Sequence, residues 1–201
     1  MALTGGQTFF TDDCVGCLAD APNIADRLEA AGRTWTAYME DMPSACLATD
    51  SGLYVAKHNP FVHYRDIVSD SARCSSHVVP FSRFSADLSS GNLAHFVWIT
   101  PNLCNDMHDC SIATGDAWLS TRVPRILQSP AFRNSVLFLT WDEARSGSAV
   151  TGSISTDGVN WRTVGSVNSP IGSSALIGLA VTSHTTSALN TSTFDSVSVV
   201  P

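Results

Sequence analysis

Between His95 and Glu143 the chain carries two continuous apolar runs, and each leads into a cluster of polar residues. The first reads His95-Phe-Val-Trp-Ile-Thr100 and continues as Pro101-Asn-Leu-Cys-Asn-Asp-Met-His-Asp-Cys110. The second reads Ser135-Val-Leu-Phe-Leu-Thr-Trp141 and continues as Asp142-Glu143. Strands without polar alternation are typical of a parallel sheet covered on both faces. In open α/β sheets, ligands bind beyond the carboxyl ends of the strands. Here those ends carry Asn, Asp, His and Glu, a set that suits a hard or borderline metal ion and a phosphate-like anion. The plainer alternative is a pair of ordinary polar loops.

A chain of 201 residues makes one domain or two small ones and is long enough to bury a real core. Its net charge of −7 argues against a nucleic-acid partner, which would need a basic face. The charged fraction is only 14%, and Ser and Thr are abundant, as on the surface of a secreted protein. Six cysteines, at 14, 17, 46, 74, 104 and 110, suggest a disulfide framework. Cys104 and Cys110 bracket the polar loop, and a bridge there would stiffen it. Cys14 and Cys17 form a C-x-x-C that reads as a redox pair, half a zinc site or a tight disulfide. No second C-x-x-C follows, and the disulfide is preferred. Cys46 with Cys74 is then the pair left by elimination. Such pairing implies an oxidising compartment, although Met1-Ala-Leu-Thr-Gly-Gly6 has neither the charged nor the apolar region of an export signal. No transmembrane segment is expected.

Pro22 to Gly32 reads as a short helix, with Ile24, Leu28 and Ala31 on one face. Thr34–Met39 reads as a strand ending at Glu40-Asp41, an acidic pair that suits a strand-end site or a solvated turn equally well. Lys57–Phe61 is a compact loop in which Asn59 precedes Pro60 and is held extended or in a turn. Asp116–Gln128 reads as a helix that Pro124 kinks or breaks. From Arg145 the chain becomes Ser/Thr/Gly-rich, with short alternating strands at 149–155, 159–164, 175–181 and 193–199. Thr156-Asp157-Gly158 is a hairpin turn signal between the first two.

Four motifs now stand in one order: Lys57-His-Asn-Pro-Phe61, Pro101-Asn-Leu-Cys-Asn-Asp-Met-His-Asp109, Gly115-Asp-Ala-Trp-Leu119 and Leu139-Thr-Trp-Asp-Glu143. Through them the stretch from Ala2 to Glu143 resembles a phosphoesterase family. That family includes secreted acid phosphatases, phosphatidylinositol-phosphate phosphatases and phospholipase-C-like enzymes, within the alkaline-phosphatase superfamily. The resemblance implies an α/β fold: a partial alkaline-phosphatase-like core with a mostly parallel sheet over residues 1–144. A short all-β, sandwich-like tail over 145–201 resembles the last strands of a concanavalin-like sandwich.

It also implies metal-dependent hydrolysis of phosphate esters, with a Ser or Thr nucleophile and a divalent metal ion that stabilises charge on the phosphoryl oxygens. By the match, Asp142 and Glu143 look like metal ligands, and His58 and His108 look like catalytic residues that hydrogen-bond the substrate phosphate. Asn105 is expected at the substrate, and with Asp106 to shape the loop that holds His108. The expected partner is a phosphorylated small molecule or phospholipid head group, and the expected location is extracellular.

His63, His77, His95 and His184 read as surface or satisfied core histidines. In the family the nucleophile and an acidic residue and Asn of the metal site precede a stretch like Ala2-Leu3-Thr4-Gly5, where this sequence begins, so hydrolysis is expected to be impaired. Thr4, Thr8 and Thr11 stand near that place, but none lies in a nucleophile motif. The alternative from another class is a non-catalytic secreted binding module for phosphate or glycan, with Trp161 as the glycan contact or, more plainly, a core residue.

Overall fold

Trp35–Met39 forms strand β1, the centre of a three-stranded parallel sheet in the computed structural model. Strand β2 (Val78–Pro80) pairs on one side and β3 (Phe96–Thr100) on the other, giving the order β2-β1-β3. The register runs Trp35 opposite Phe96 through Met39 opposite Thr100, and Ala37 opposite Val78. Residues 1–10, 14, 16–91, 93–133 and 135–140 are described in full, and 149–154 and 162–168 as backbone. The chain divides into two compact units, Met1–Arg133 and Asn134–Pro201.

Successive side chains of a strand point to opposite faces, and this sheet buries both. Trp35, Ala37, Met39 and Val78 join Phe61, Tyr64 and Ile67 in one apolar cluster. Tyr38 and Val79 join Phe84 and Leu88 in another. Helices α1 (Ala2–Gly5), α2 (Ile24–Ala30), α3 (Arg65–Val68) and α4 (Ser71–His77) come from sequence on the first side, and α5 (Phe84–Ser90) supplies the second. Burying side chains such as Trp35 or Ile67 contributes about 1.5–3 kcal/mol each. The first apolar run is therefore a parallel strand, as its composition predicts, although β3 is half-buried throughout whereas β1 is nearly sealed.

The second run departs from expectation. Residues 135–140 adopt no regular secondary structure. A continuous apolar run says that a segment favours burial; it does not say which ladder the segment joins. Trp141, Asp142, Glu143, the hairpin turn at 156–158, Trp161, His184 and the expected strands at 175–181 and 193–199 lie outside the described residues. In the second unit, β4 (Ala149–Ile154) and β5 (Arg162–Asn168) form an antiparallel ladder with a register shift between Gly152 and Ser153, in the place the sequence predicts a hairpin.

The two helices read from sequence are present with shifted starts. Asn23 caps α2, accepting from the Ala25 and Asp26 N–H groups while Asp26 accepts from the Asn23 N–H at 2.9 Å. That reciprocal box places Pro22 before the cap instead of inside the first turn. Helix α6 runs Ile112–Leu127 from a Ser111 cap, starting three residues before Gly115 with Ile112, and it continues through Pro124. Pro124 lacks the N–H that would bond the Ser120 carbonyl, and the helix ends within one turn after it. Among the described residues, no helix is long and apolar enough to cross a membrane. All three cysteine pairs are disulfides: Cys14–Cys17, Cys46–Cys74 and Cys104–Cys110.

Arg73 on α4 ties the helices of the first face together. Its guanidinium donates to Asp26 at 2.8 Å, Glu29 at 3.0 Å and Asp66 at 2.6 Å. Glu29 also accepts from the Trp35 indole at 2.7 Å, which links the network to β1. Partial burial works to raise the Asp26 carboxyl, but the Asn23 N–H and Arg73 outweigh it and hold that carboxyl below its ordinary value. A carboxylate depressed in the folded state contributes stability above its unfolded pKa, and loses it as pH falls through the folded value. The Arg73→Ala variant is expected to be about 2 kcal/mol less stable, because three carboxylates then face each other without their cation. Urea midpoints measured against pH should show the wild-type stability falling below about pH 4, and a flatter dependence there in the variant.

Candidate active site

The polar loop after β3 is fixed by its own side chains. Asn102 is buried, and its Oδ1 accepts from the Cys104 N–H at 3.0 Å and the Asn105 N–H at 2.8 Å. The Asp106 N–H donates to the Asn102 carbonyl at 2.9 Å, and the Asp109 N–H to the Leu103 carbonyl at 2.9 Å. The Cys104–Cys110 disulfide closes the loop. Met107 takes a left-handed backbone with φ of 73°, uncommon for a side chain of its size. The loop lies so close to α6 that a Cβ on Gly115 would meet the Met107 side chain and, at 2.9 Å, the Asn105 carbonyl oxygen. Gly115 is needed for this approach.

Glu40, just past β1, anchors the loop. Its Oε2 accepts from the Asn102 N–H at 3.0 Å and the Asn105 Nδ2 at 2.9 Å, and its Oε1 from the Trp118 indole of α6 at 2.6 Å. Asp41, with φ of 58°, accepts from the Asn102 Nδ2 at 2.7 Å. The acidic pair is thus a bonded joint between strand, loop and helix, within a turn in which Asp41 is exposed. Of the four motifs, the second and third meet at this carboxylate.

His58 comes from a separate segment, on a 3₁₀ turn spanning Ala56–His58. Asp50 accepts from the Ala56 N–H at 2.8 Å, and Asn59 is extended before Pro60, as its place before a proline predicts. Asn59 is fully buried; its Oδ1 accepts from the Phe61 N–H and its Nδ2 donates to the Tyr54 hydroxyl at 3.0 Å. Burial pushes the Tyr54 hydroxyl up to about 12, so it stays neutral and donates to the Leu47 carbonyl at 2.6 Å. His63 is a core histidine, buried with Nδ1 3.1 Å from the Cys17 carbonyl and Nε2 3.1 Å from the Ala56 carbonyl. His77 stacks on Trp35, and His95 bonds Thr34. Thr4 is buried with its hydroxyl 2.9 Å from that of Tyr64, so it is packed as a core hydroxyl.

The structure brings His58 and His108 together. Their ring centroids lie 5.3 Å apart, edge to face. Nδ1 of His58 is 2.9 Å from Asp106 Oδ2, and Nδ1 of His108 is 2.7 Å from Asp109 Oδ1. Asn105 is beside them in the loop, with its amide donating to Glu40. Each imidazole is held at one nitrogen by a carboxylate, an arrangement that orients the other nitrogen for proton exchange or hydrogen bonding. Sequence reasoning missed Glu40 as the anchor and Asp106 as the partner of His58. The signal for the first was its place directly after a core strand. The signal for the second was an acidic residue inside the motif that carries His108. Among the described residues, no group of three or more His, Cys, Asp or Glu is placed to hold a metal ion.

The profile of the "Phosphoesterase family" matches residues 4–200. The chain belongs to that family. A phosphatidylinositol-3-phosphatase of Mycobacterium tuberculosis is 34% identical over 146 residues, covering 71% of this chain and 47% of that protein. A phosphate-repressible acid phosphatase of Penicillium chrysogenum is 32% identical over 151 residues, covering 71% of this chain and 36% of its own length. An acid phosphatase of Aspergillus fumigatus is 32% identical over 153 residues, covering 71% of this chain and 34% of its own. The chain therefore spans about a third to a half of the relatives it matches.

The anchoring role of Glu40 has a direct test. Glu40→Ala strips three N–H donors of their acceptor, and leaving such donors unpaired costs about 1–3 kcal/mol. Chemical denaturation should show a loss of about 3 kcal/mol, with Glu40→Gln in between because its carbonyl oxygen can still accept. A loss below about 0.5 kcal/mol would mean that the loop holds its shape without this carboxylate.

Proposed function

We propose that the protein hydrolyses phosphate esters, and that His58 and His108 are the groups that bind the phosphoryl oxygens and move protons. The observation that carries this reading is the meeting of the two rings at the carboxyl ends of a parallel sheet, each with Nδ1 held by its own carboxylate. Ligand sites of open α/β folds lie at those ends. An imidazole anchored in this way can donate to an anion or protonate a leaving oxygen, work that contributes about 10²–10⁴-fold to such reactions.

Charge supports a metal ion as a further part of the site. Even with both imidazoles protonated, the pairs His58–Asp106 and His108–Asp109 sum to zero, and Glu40 and Asp41 add two negative charges nearby. An anionic phosphate needs more positive charge than these residues carry. Asp142 and Glu143 are our candidates for holding a divalent cation, which would offset charge on the phosphoryl oxygens. The described residues supply no such site by themselves.

The substrate class we propose is a phosphorylated small molecule or phospholipid head group, in keeping with relatives named acid phosphatase and phosphatidylinositol-3-phosphatase. The three disulfides support work in an oxidising, extracellular setting. The antiparallel β4–β5 ladder supports a β-rich second part.

The full chain should hydrolyse a chromogenic phosphomonoester when a divalent cation is supplied. Turnover should fall about 100-fold or more in His108→Ala and be abolished in Asp142→Ala. Absence of turnover across Mg²⁺, Mn²⁺, Ca²⁺ and Zn²⁺ would leave family membership without the activity.

A further inference from the structure

The carboxylate of Asp106 has two partners from different parts of the site. Its Oδ2 lies 2.9 Å from Nδ1 of His58, 48 residues away in sequence. Its Oδ1 accepts from the backbone N–H of His108 at 2.8 Å. A carboxylate only accepts, so Nδ1 of His58 is the donor. In the neutral ring the unprotonated nitrogen is then Nε2. The same rigid group fixes the backbone from which His108 projects.

We propose that Asp106 is a positioning residue that sets the tautomer of His58 and the placement of His108 with one carboxylate. The proposal rests on the phosphoesterase reading for its catalytic meaning, but the proton position it assigns can be observed without turnover. Asp109 does not substitute for it. The His108–Asp109 pair is 45% and 53% exposed, whereas His58 and Asp106 are 23% and 17% exposed. Shielding from water strengthens the His58–Asp106 pair relative to the other. The Asp109 carboxylate bonds the imidazole of its sequence neighbour, a contact that does not reach His58.

Asp106 is itself held from several directions. Its N–H bonds the Asn102 carbonyl, and Asn102 is bonded to Glu40 and Asp41. The left-handed Met107 lies between Asp106 and His108, with its side chain against Gly115. Unfavourable backbone conformations persist where the surroundings over-determine them, often beside functional groups. Here the strained residue lies between the carboxylate and the backbone N–H it accepts.

Asp106→Asn separates the two roles because the side chain keeps its shape. Its Oδ1 can still accept from the His108 N–H, but its Nδ2 now donates toward His58. Nδ1 of His58 must then accept, which moves the proton to Nε2. Long-range ¹H–¹⁵N spectra of the full-length labelled chain, taken where the imidazole is neutral, report the tautomer directly. The expected result is Nδ1–H for His58 in the wild type and Nε2–H in Asp106→Asn. The control Asp109→Asn should leave His58 as in the wild type.

Titration with inorganic phosphate should show binding weakened about tenfold or more in Asp106→Asn, by analogy with the loss of groups that orient a working histidine. A wild-type His58 carrying its proton on Nε2 would overturn the proposal, and that reading stands even if the variant does not fold. An unchanged tautomer in a folded Asp106→Asn would overturn it too. The expected tautomers without any phosphate binding by the wild type would uphold the positioning role and count against the phosphoesterase reading.

Discussion

The carboxylate of Glu40 joins three parts of the chain that would otherwise have no reason to hold one geometry. It sits where β1 leaves the core, and it takes N–H groups from the β3 loop at Asn102 and Asn105 and from α6 at Trp118. Hydrogen bonds to a charged acceptor are about twice as strong as neutral ones. Their value here lies in direction as much as in energy. The loop must present Asp106, His108 and Asp109 at one place, and Asn102 can organise the loop only because its own backbone is tied to the sheet. The sheet supplies a rigid platform by burying both faces of β1, and Glu40 transmits that rigidity to the site.

Charge is unevenly spread over this platform. On the helical face, one cation, Arg73, serves three carboxylates, so that cluster keeps a net negative charge while remaining bonded. At the loop, two histidines are matched by two aspartates. The first arrangement is a support: it is bonded to the Trp35 indole beneath the core. The second holds each imidazole at Nδ1 with a carboxylate of its own. For the acid–base work we propose, such anchoring keeps the two rings aligned.

Much of this was legible in the residues. The apolar run at 95–100 announced a parallel strand, and Asn59-Pro60 announced a constrained turn. The family resemblance implies one shared substrate for His58 and His108, and their ring centroids lie 5.3 Å apart. Other features were illegible for physical reasons. The run at 135–140 has the composition of a buried strand, but strand formation depends on a ladder partner, which no local composition specifies. Glu40 and Asp41 suited a strand-end site and a solvated turn equally well, and the donors that make them a joint lie more than 60 residues further along the chain. Asp106 was read as a shaper of its own loop. Its second oxygen reaches His58, and a side-chain contact across 48 residues leaves no trace in spacing.

Those separations also carry a kinetic consequence. Trp118 meets Glu40 across 78 residues, and His95 meets Thr34 across 61, at the entrance to the β1–β3 ladder. Closing such long loops is slow, because chain entropy is lost before the contact repays it. The site can assemble only after the parallel ladder has found its register. No fragment ending before Asp109 contains both histidines and both of their carboxylate partners. During synthesis, the two histidines face each other only late, once nearly the whole first unit has emerged.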